Sequence, residues 1–141
     1  MGTRSRIGVQ LPDNHVLSVY CHWDGYPEFN GKVLREFFNT TSKVAELING
    51  GNISALYTNA GWNNETLPET GPLYYTERGE TLESNMPELS KDHESYMKLA
   101  ENTDGEYCYL FKNGEWTCYN TRSWDDDYMQ EIAIPKGSIR D

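Results

Sequence analysis

The sequence predicts a single α+β domain over residues 1–141: two antiparallel β-hairpins form a sheet packed against two to three short helices. Three observations predict it. Residues 6–11 and 16–23 alternate apolar and polar with period two on either side of the turn-rich Pro12-Asp13-Asn14-His15. Residues 107–112 and 115–120 flank Asn113-Gly114, a two-residue loop suited to a type I′ turn. Between these hairpins, apolar residues recur at helical spacing in 31–38, 42–49 and 88–100.

Each element carries its own reason. In the first hairpin Ile7, Val9, Leu11, Leu17, Val19, Cys21 and Trp23 share one face, a core face. Arg4, Arg6, Gly8, Gln10, Ser18, Tyr20 and His22 share the other, which is polar. Asp24-Gly25-Tyr26-Pro27 then breaks the strand. The helix over 31–38 has Asn30 as its cap and Val33, Leu34, Phe37 and Phe38 on one stripe; the helix over 42–49 turns Val44, Leu47 and Ile48 inward and stops at Gly50-Gly51. Residues 52–57 read as a brief strand, and 58–86 as a long irregular loop. The helix over 88–100 aligns Leu89, His93, Tyr96, Met97 and Ala100, with Pro87 in its first turn. In the second hairpin Lys112 faces Glu115, Leu110 faces Thr117 and Tyr109 faces Cys118. Tyr107, Tyr109, Phe111, Trp116 and Cys118 then form a buried aromatic face, and Cys108 points the other way. Ile132-Ala133-Ile134 before Pro135 reads as an edge strand.

Composition excludes several classes. Aromatics at 13 % argue against a disordered chain. No apolar run approaches the roughly 18 residues that span a bilayer, and Arg6 stands where a myristoylation motif at Gly2 requires Ser or Thr. The N-terminus shows no secretory pattern, so the three cysteines, without C-x-x-C spacing, are expected to be free thiols rather than zinc ligands. No cofactor-binding motif is present. The net charge of −10 is concentrated in residues 64–106, where eleven acids stand against three bases. Such a balance disfavours direct nucleic-acid binding and favours a partner with a basic surface.

Thr3-Arg4-Ser5-Arg6-Ile7-Gly8 and Tyr20-Cys21-His22-Trp23-Asp24-Gly25-Tyr26-Pro27, followed by Gly51-Asn52-Ile53-Ser54-Ala55-Leu56, resemble a family of small tailed-phage and prophage proteins. Arg78-Gly79-Glu80 and Tyr109-Leu110-Phe111 with Gly114-Glu115-Trp116 look like further signatures, while residues 60–106 depart from the family in their acidity. The resemblance implies a phage accessory protein acting in the host cytoplasm. It implies no reaction.

Two constellations carry the functional expectations. The first is Arg4, Arg6, Tyr20, His22, Asp24 and Tyr26, joined by the loop pair Arg78 and Glu80. Arginines clamp phosphates bidentately, His22 titrates near neutral pH, and tyrosines stack on bases. The plain reading of the same residues is a strand-to-helix corner, with Asp24 bonding backbone N–H groups, His22 capping the turn and Arg78–Glu80 forming a solvated ion pair. The second is the acidic set Glu83, Glu88, Asp92, Glu94, Asp125, Asp126 and Asp127, which imitates DNA phosphates or merely solubilises a face. No catalytic residue or metal set emerges, because Cys21 and His22 are adjacent in a strand and face opposite ways. The leading expectation is a non-catalytic phage accessory protein that inhibits a host defence or nucleic-acid enzyme through its acidic surface. The alternative is a sponge for, or hydrolase of, a small phosphorylated ligand at the Arg6, Tyr20 and His22 face. A virion component and a homo-oligomer stay open.

Overall fold

Strand β1 (Ser5–Gln10) and strand β2 (Val16–Trp23) pair antiparallel with Ser5 opposite Cys21 and Gln10 opposite Val16. Asn14, at φ 71°, takes the left-handed position in the connecting turn, a conformation asparagine tolerates well. The computed structural model describes residues 3–56 and 72–137. Much of the expected 58–86 loop, up to residue 71, lies outside the described residues. The remainder, 72–86, is regular in places: it holds strand β4 (Leu73–Tyr74) and the 3₁₀ turns Tyr75–Arg78 and Glu83–Asn85.

The expected α+β class holds, and the sheet is larger than two hairpins. Among the described residues eight strands form one mixed sheet in the order β4, β3 (Ile53–Ala55), β2, β1, β6 (Tyr107–Lys112), β7 (Glu115–Asn120) and β8 (Glu131–Ile132). Strand β5 (Glu88–Ser90) joins β2 beside Val16–Ser18. The two hairpins meet side by side through β1 and β6, which run parallel with Ser5 opposite Tyr107. The second hairpin has the expected register, Lys112 opposite Glu115 and Tyr109 opposite Cys118, around Asn113 and Gly114 at φ 54° and 81°.

Two crossovers set the layers, since parallel neighbours need a long connection. Between β2 and the parallel β3 run helix α1 (Lys32–Phe37) and helix α2 (Thr41–Asn49), α1 entered through a π turn at Pro27–Gly31 and α2 capped by Thr40. Val33, Leu34, Val44, Leu47 and Ile48 bury against Ile7, Val9, Val19, Cys21, Tyr109 and Phe111. Tyr109 closes this layer by donating to the Gly25 carbonyl at 2.6 Å, and Trp116 by donating to Phe38 at 2.7 Å. Between β5 and β6 runs helix α3 (His93–Asn102), which lies on the opposite face. Tyr96, Met97 and Ala100 pack there on Val16, Cys108 and Leu110.

The stretch expected as one helix over 88–100 is therefore a strand followed by a helix. Pro87 holds Met86 in the extended region (φ −68°, ψ 150°), and Asp92, whose carboxylate accepts from the Ser95 N–H at 2.8 Å, caps a helix that starts at His93, five residues later than expected. Leu89, expected on the buried stripe, is 60 % exposed in β5. The polar face of the first hairpin is likewise not an open surface throughout. Its lower half lies beneath α3, and Gly8 leaves room for the ring of Tyr96, which a Cβ there would meet at 2.9 Å. Tyr96 in turn donates to the carbonyls of Arg6 and Tyr109 at 3.0 and 2.5 Å, tying helix to sheet.

Candidate functional site

The uncovered half of that face bears two adjacent rows of polar side chains running across β1, β2 and β3. Arg6 is paired with Tyr20, whose N–H is accepted by Asn52, and extending the same registers by one residue sets His22 between Arg4, just before β1, and Ser54. Neighbouring strands are about 4.8 Å apart, so each row brings three side chains into reach of one small molecule.

In the first row the Tyr20 hydroxyl lies 2.7 Å from His22 Nδ1. This bond orients the imidazole and leaves Nε2 without a protein partner among the described residues. Trp23 packs edge-on against the same ring at 4.7 Å. Arg78 reaches over from the turn after β4, donates to Ser54 Oγ at 3.1 Å and sits 5.7 Å from the centre of the Tyr75 ring. Desolvation, then the positive charges of Arg4 and Arg78, lower the His22 pKa from its ordinary 6.5, which favours the neutral ring. Burial raises Tyr20 and Tyr75, while Arg4 and Arg78 respectively pull them back. Neither Arg4 nor Arg78 has a carboxylate within 4 Å among the described residues.

In the second row Arg6 is buried and hydrogen-bonded through Nε to Ser18 Oγ at 2.7 Å. Its Nη2 reaches the Ser18 carbonyl at 3.3 Å and Glu88 at 2.9 Å. Over this row opens a cleft of about 540 Å³, floored by Arg6, Tyr20 and Asn52 and walled by Glu83, Ser84, Met86, Pro87, Glu88 and Thr103.

The sequence-predicted residues thus divide. Arg4, Tyr20, His22 and Arg78 come together, with Arg6 beside them in the second row. Asp24 and Tyr26 do not join them: Asp24 holds a left-handed backbone (φ 60°) at the corner, and Tyr26 packs on Phe29. The corner is real, and two details of its plain reading are corrected. His22 bonds Tyr20 rather than capping the turn, and at the corner the Gly25 N–H is taken by the Thr3 carbonyl. Arg78 and Glu80 form no ion pair, because Glu80 accepts instead from Asn85 at 3.2 Å. Tyr75, Ser54 and Asn52 were missed. The alternation of polar Asn52 and Ser54 with apolar Ile53 and Ala55 is the signal that could have found two of them.

Most of the acidic set has partners within the chain. Glu88 pairs with Arg6, Asp92 caps α3, Glu94 lies 3.5 Å from Lys98, Asp125 pairs with Arg122 at 2.6 Å, and Asp127 accepts from Asn120 at 2.5 Å. Glu83 and Asp126 have no such partner among the described residues. No three His, Cys, Asp or Glu side chains among the described residues converge to hold a metal ion, and no described helix is long and apolar enough to cross a membrane. Comparison with family models, with curated proteins and with solved structures finds no match to this chain.

Proposed function

We propose that the protein acts by binding a small phosphorylated ligand, without catalysis, at the row formed by Arg4, His22, Tyr20 and Arg78. One observation carries the reading: in a chain of net charge −10, two arginines converge on one sheet face with no carboxylate within 4 Å among the described residues. Two guanidinium groups with no carboxylate within 4 Å among the described residues leave a local anion site. Tyr75 and Trp23 flank it with aromatic surface, which suits a phosphorylated compound that carries a ring.

Binding is favoured over chemistry by the state of His22. Its Nδ1 is bonded to a tyrosine hydroxyl and no carboxylate orients the ring among the described residues, so the carboxylate–histidine pair of a typical general base is not built there. The resemblance to tailed-phage proteins supports a phage accessory role in a host cytoplasm, in which the chain would withdraw a phosphorylated molecule from the host. The acidic surface has less support as the binding element, because five of its seven residues already serve a cap, an ion pair or a hydrogen bond within the chain.

Calorimetric titration with inorganic pyrophosphate tests the reading. Hydrogen bonds to a charged group contribute about 1.5–3 kcal/mol each, so Arg4→Gln and Arg78→Gln should each weaken binding tenfold or more. Undiminished affinity in both variants contradicts it.

A further inference from the structure

Arg6 is 2 % exposed, yet it lines the 540 Å³ cleft, and Nη1 has no partner among the described residues. Its ionic partner among the described residues, Glu88, is 55 % exposed and sits on β5, a three-residue strand that pairs with β2. A rigid buried cation is thus met by a carboxylate from a peripheral strand. The guanidinium is held by Ser18 through Nε and Nη2, and the residue lines the cleft.

We propose that the Arg6 cleft is a second anion subsite, next to the Arg4–Arg78 site and occupied in the free chain by the Glu88 carboxylate as a stand-in. The inference rests on the ligand-binding reading and narrows its substrate class to molecules with two separated anionic groups, such as bisphosphates or dinucleotides. Arg4 and Arg6 are two residues apart on one face, so the subsites are centred about 7 Å apart, too far for one phosphate to serve both. Tyr20 touches both, through His22 in the first row and as part of the cleft floor in the second. Asn52 and Ser84 supply neutral polar groups around the second anion. Incoming phosphate displaces Glu88, which swings into solvent without leaving a buried charge unpaired, because the ligand replaces it.

The Arg6 Nε–H, buried and bonded to Ser18, gives a slowly exchanging nitrogen–proton resonance that reports on this subsite alone. Inorganic phosphate is titrated at pH 8 into wild type, Glu88→Gln and the double variant Arg4→Gln/Arg78→Gln, reading Arg6 Nε and a His22 ring proton. Glu88→Gln keeps the side chain's shape on an exposed strand while removing the competing charge. The expected result is a saturable Arg6 shift with affinity at least fivefold higher in Glu88→Gln than in wild type, retained in the double arginine variant. Fructose 1,6-bisphosphate should bind wild type at least tenfold more tightly than phosphate. An Arg6 resonance that stays fixed while His22 moves overturns the second subsite and leaves the first standing. Equal Arg6 affinity in wild type and Glu88→Gln overturns the stand-in role, and a bisphosphate no tighter than phosphate overturns the two-anion ligand. If neither resonance moves in any variant, both subsites fall.

Discussion

Single side chains decide what this sheet face can do, and His22 shows how. Its pKa lies below 6.5, first because it is desolvated and then because Arg4 and Arg78 repel its proton. In the unfolded chain the ring protonates as pH falls through about 6.5, while in the folded chain it resists. Stability therefore falls with pH below that point and is unaffected by this group above it. His93, also lowered by burial and by Lys112, adds to the loss in the same direction. Replacing both Arg4 and Arg78 by Gln should raise the His22 pKa toward 6.5, read by proton NMR titration of the ring. A pKa that stays where it was would show that the arginines do not act on it. Arg6 and Arg4 illustrate what was legible at this scale. Alternation alone placed both on one face with Tyr20 and His22, because register in a half-buried strand is dictated by its apolar residues. It did not show that Arg6 is buried and paired, since that depends on Glu88, 82 residues away in sequence.

Among the elements, the second hairpin was readable almost residue by residue, since its turn and its alternation both act locally. Trp116 packs on Phe111 at a ring separation of 5.1 Å and donates to Phe38, whereas Lys112 is exposed beside the turn. Trp116→Ala should destabilise by about 3 kcal/mol or more and Lys112→Ala by about 0.5 kcal/mol or less, compared by urea denaturation. Equal midpoints would mean that the aromatic face is not a buried one. The segment 88–100 was misread, for a physical reason. Leu89 fits the helical stripe, but the extended backbone before Pro87 and the cap at Asp92 divide the stretch, and pairing with Leu17 makes the first part a strand. Asp92→Ala should lower stability by about 1 kcal/mol through loss of the α3 cap, detectable as a fall in Tm. At Gly8, Ala would push a Cβ to 2.9 Å from both Tyr96 and Val16. Overpacking of that kind costs about 1–3 kcal/mol, so Gly8→Ala should be among the more damaging single-methyl changes in the sheet.

For the whole molecule, helices on both faces of the sheet explain two properties together. All three cysteines are buried and unpaired, with Cys21 and Cys118 pushed up to about 12 and Cys108 well above its ordinary value by burial. Alkylation without reductant should modify none of them in the folded chain and all three after unfolding, counted by mass spectrometry; a mass two units low would reveal a disulfide. The same two layers stop short of one corner of the sheet, and the polar rows lie there. The parallel join of the hairpins through β1 and β6, and the β5–α3–β6 crossover that covers half the polar face, were not legible from periodicity, because parallel pairing is specified by contacts distant in sequence. The charge pattern was legible as composition, but the partners were not: five of the seven acids singled out as a binding surface take a cap, an ion pair or a hydrogen bond within the chain.

On the function proposed above, anions bind the arginine row and affinity does not depend on the acidic surface. The most direct test ranks pyrophosphate affinity by calorimetry across three proteins: wild type, Arg4→Gln/Arg78→Gln, and Glu83→Lys/Glu94→Lys/Asp126→Lys. A loss of at least tenfold is expected in the arginine variant, with both variants folded as judged by circular dichroism. The acid-reversal variant should bind as tightly as wild type or modestly tighter. Full affinity in the arginine variant would contradict the proposed function.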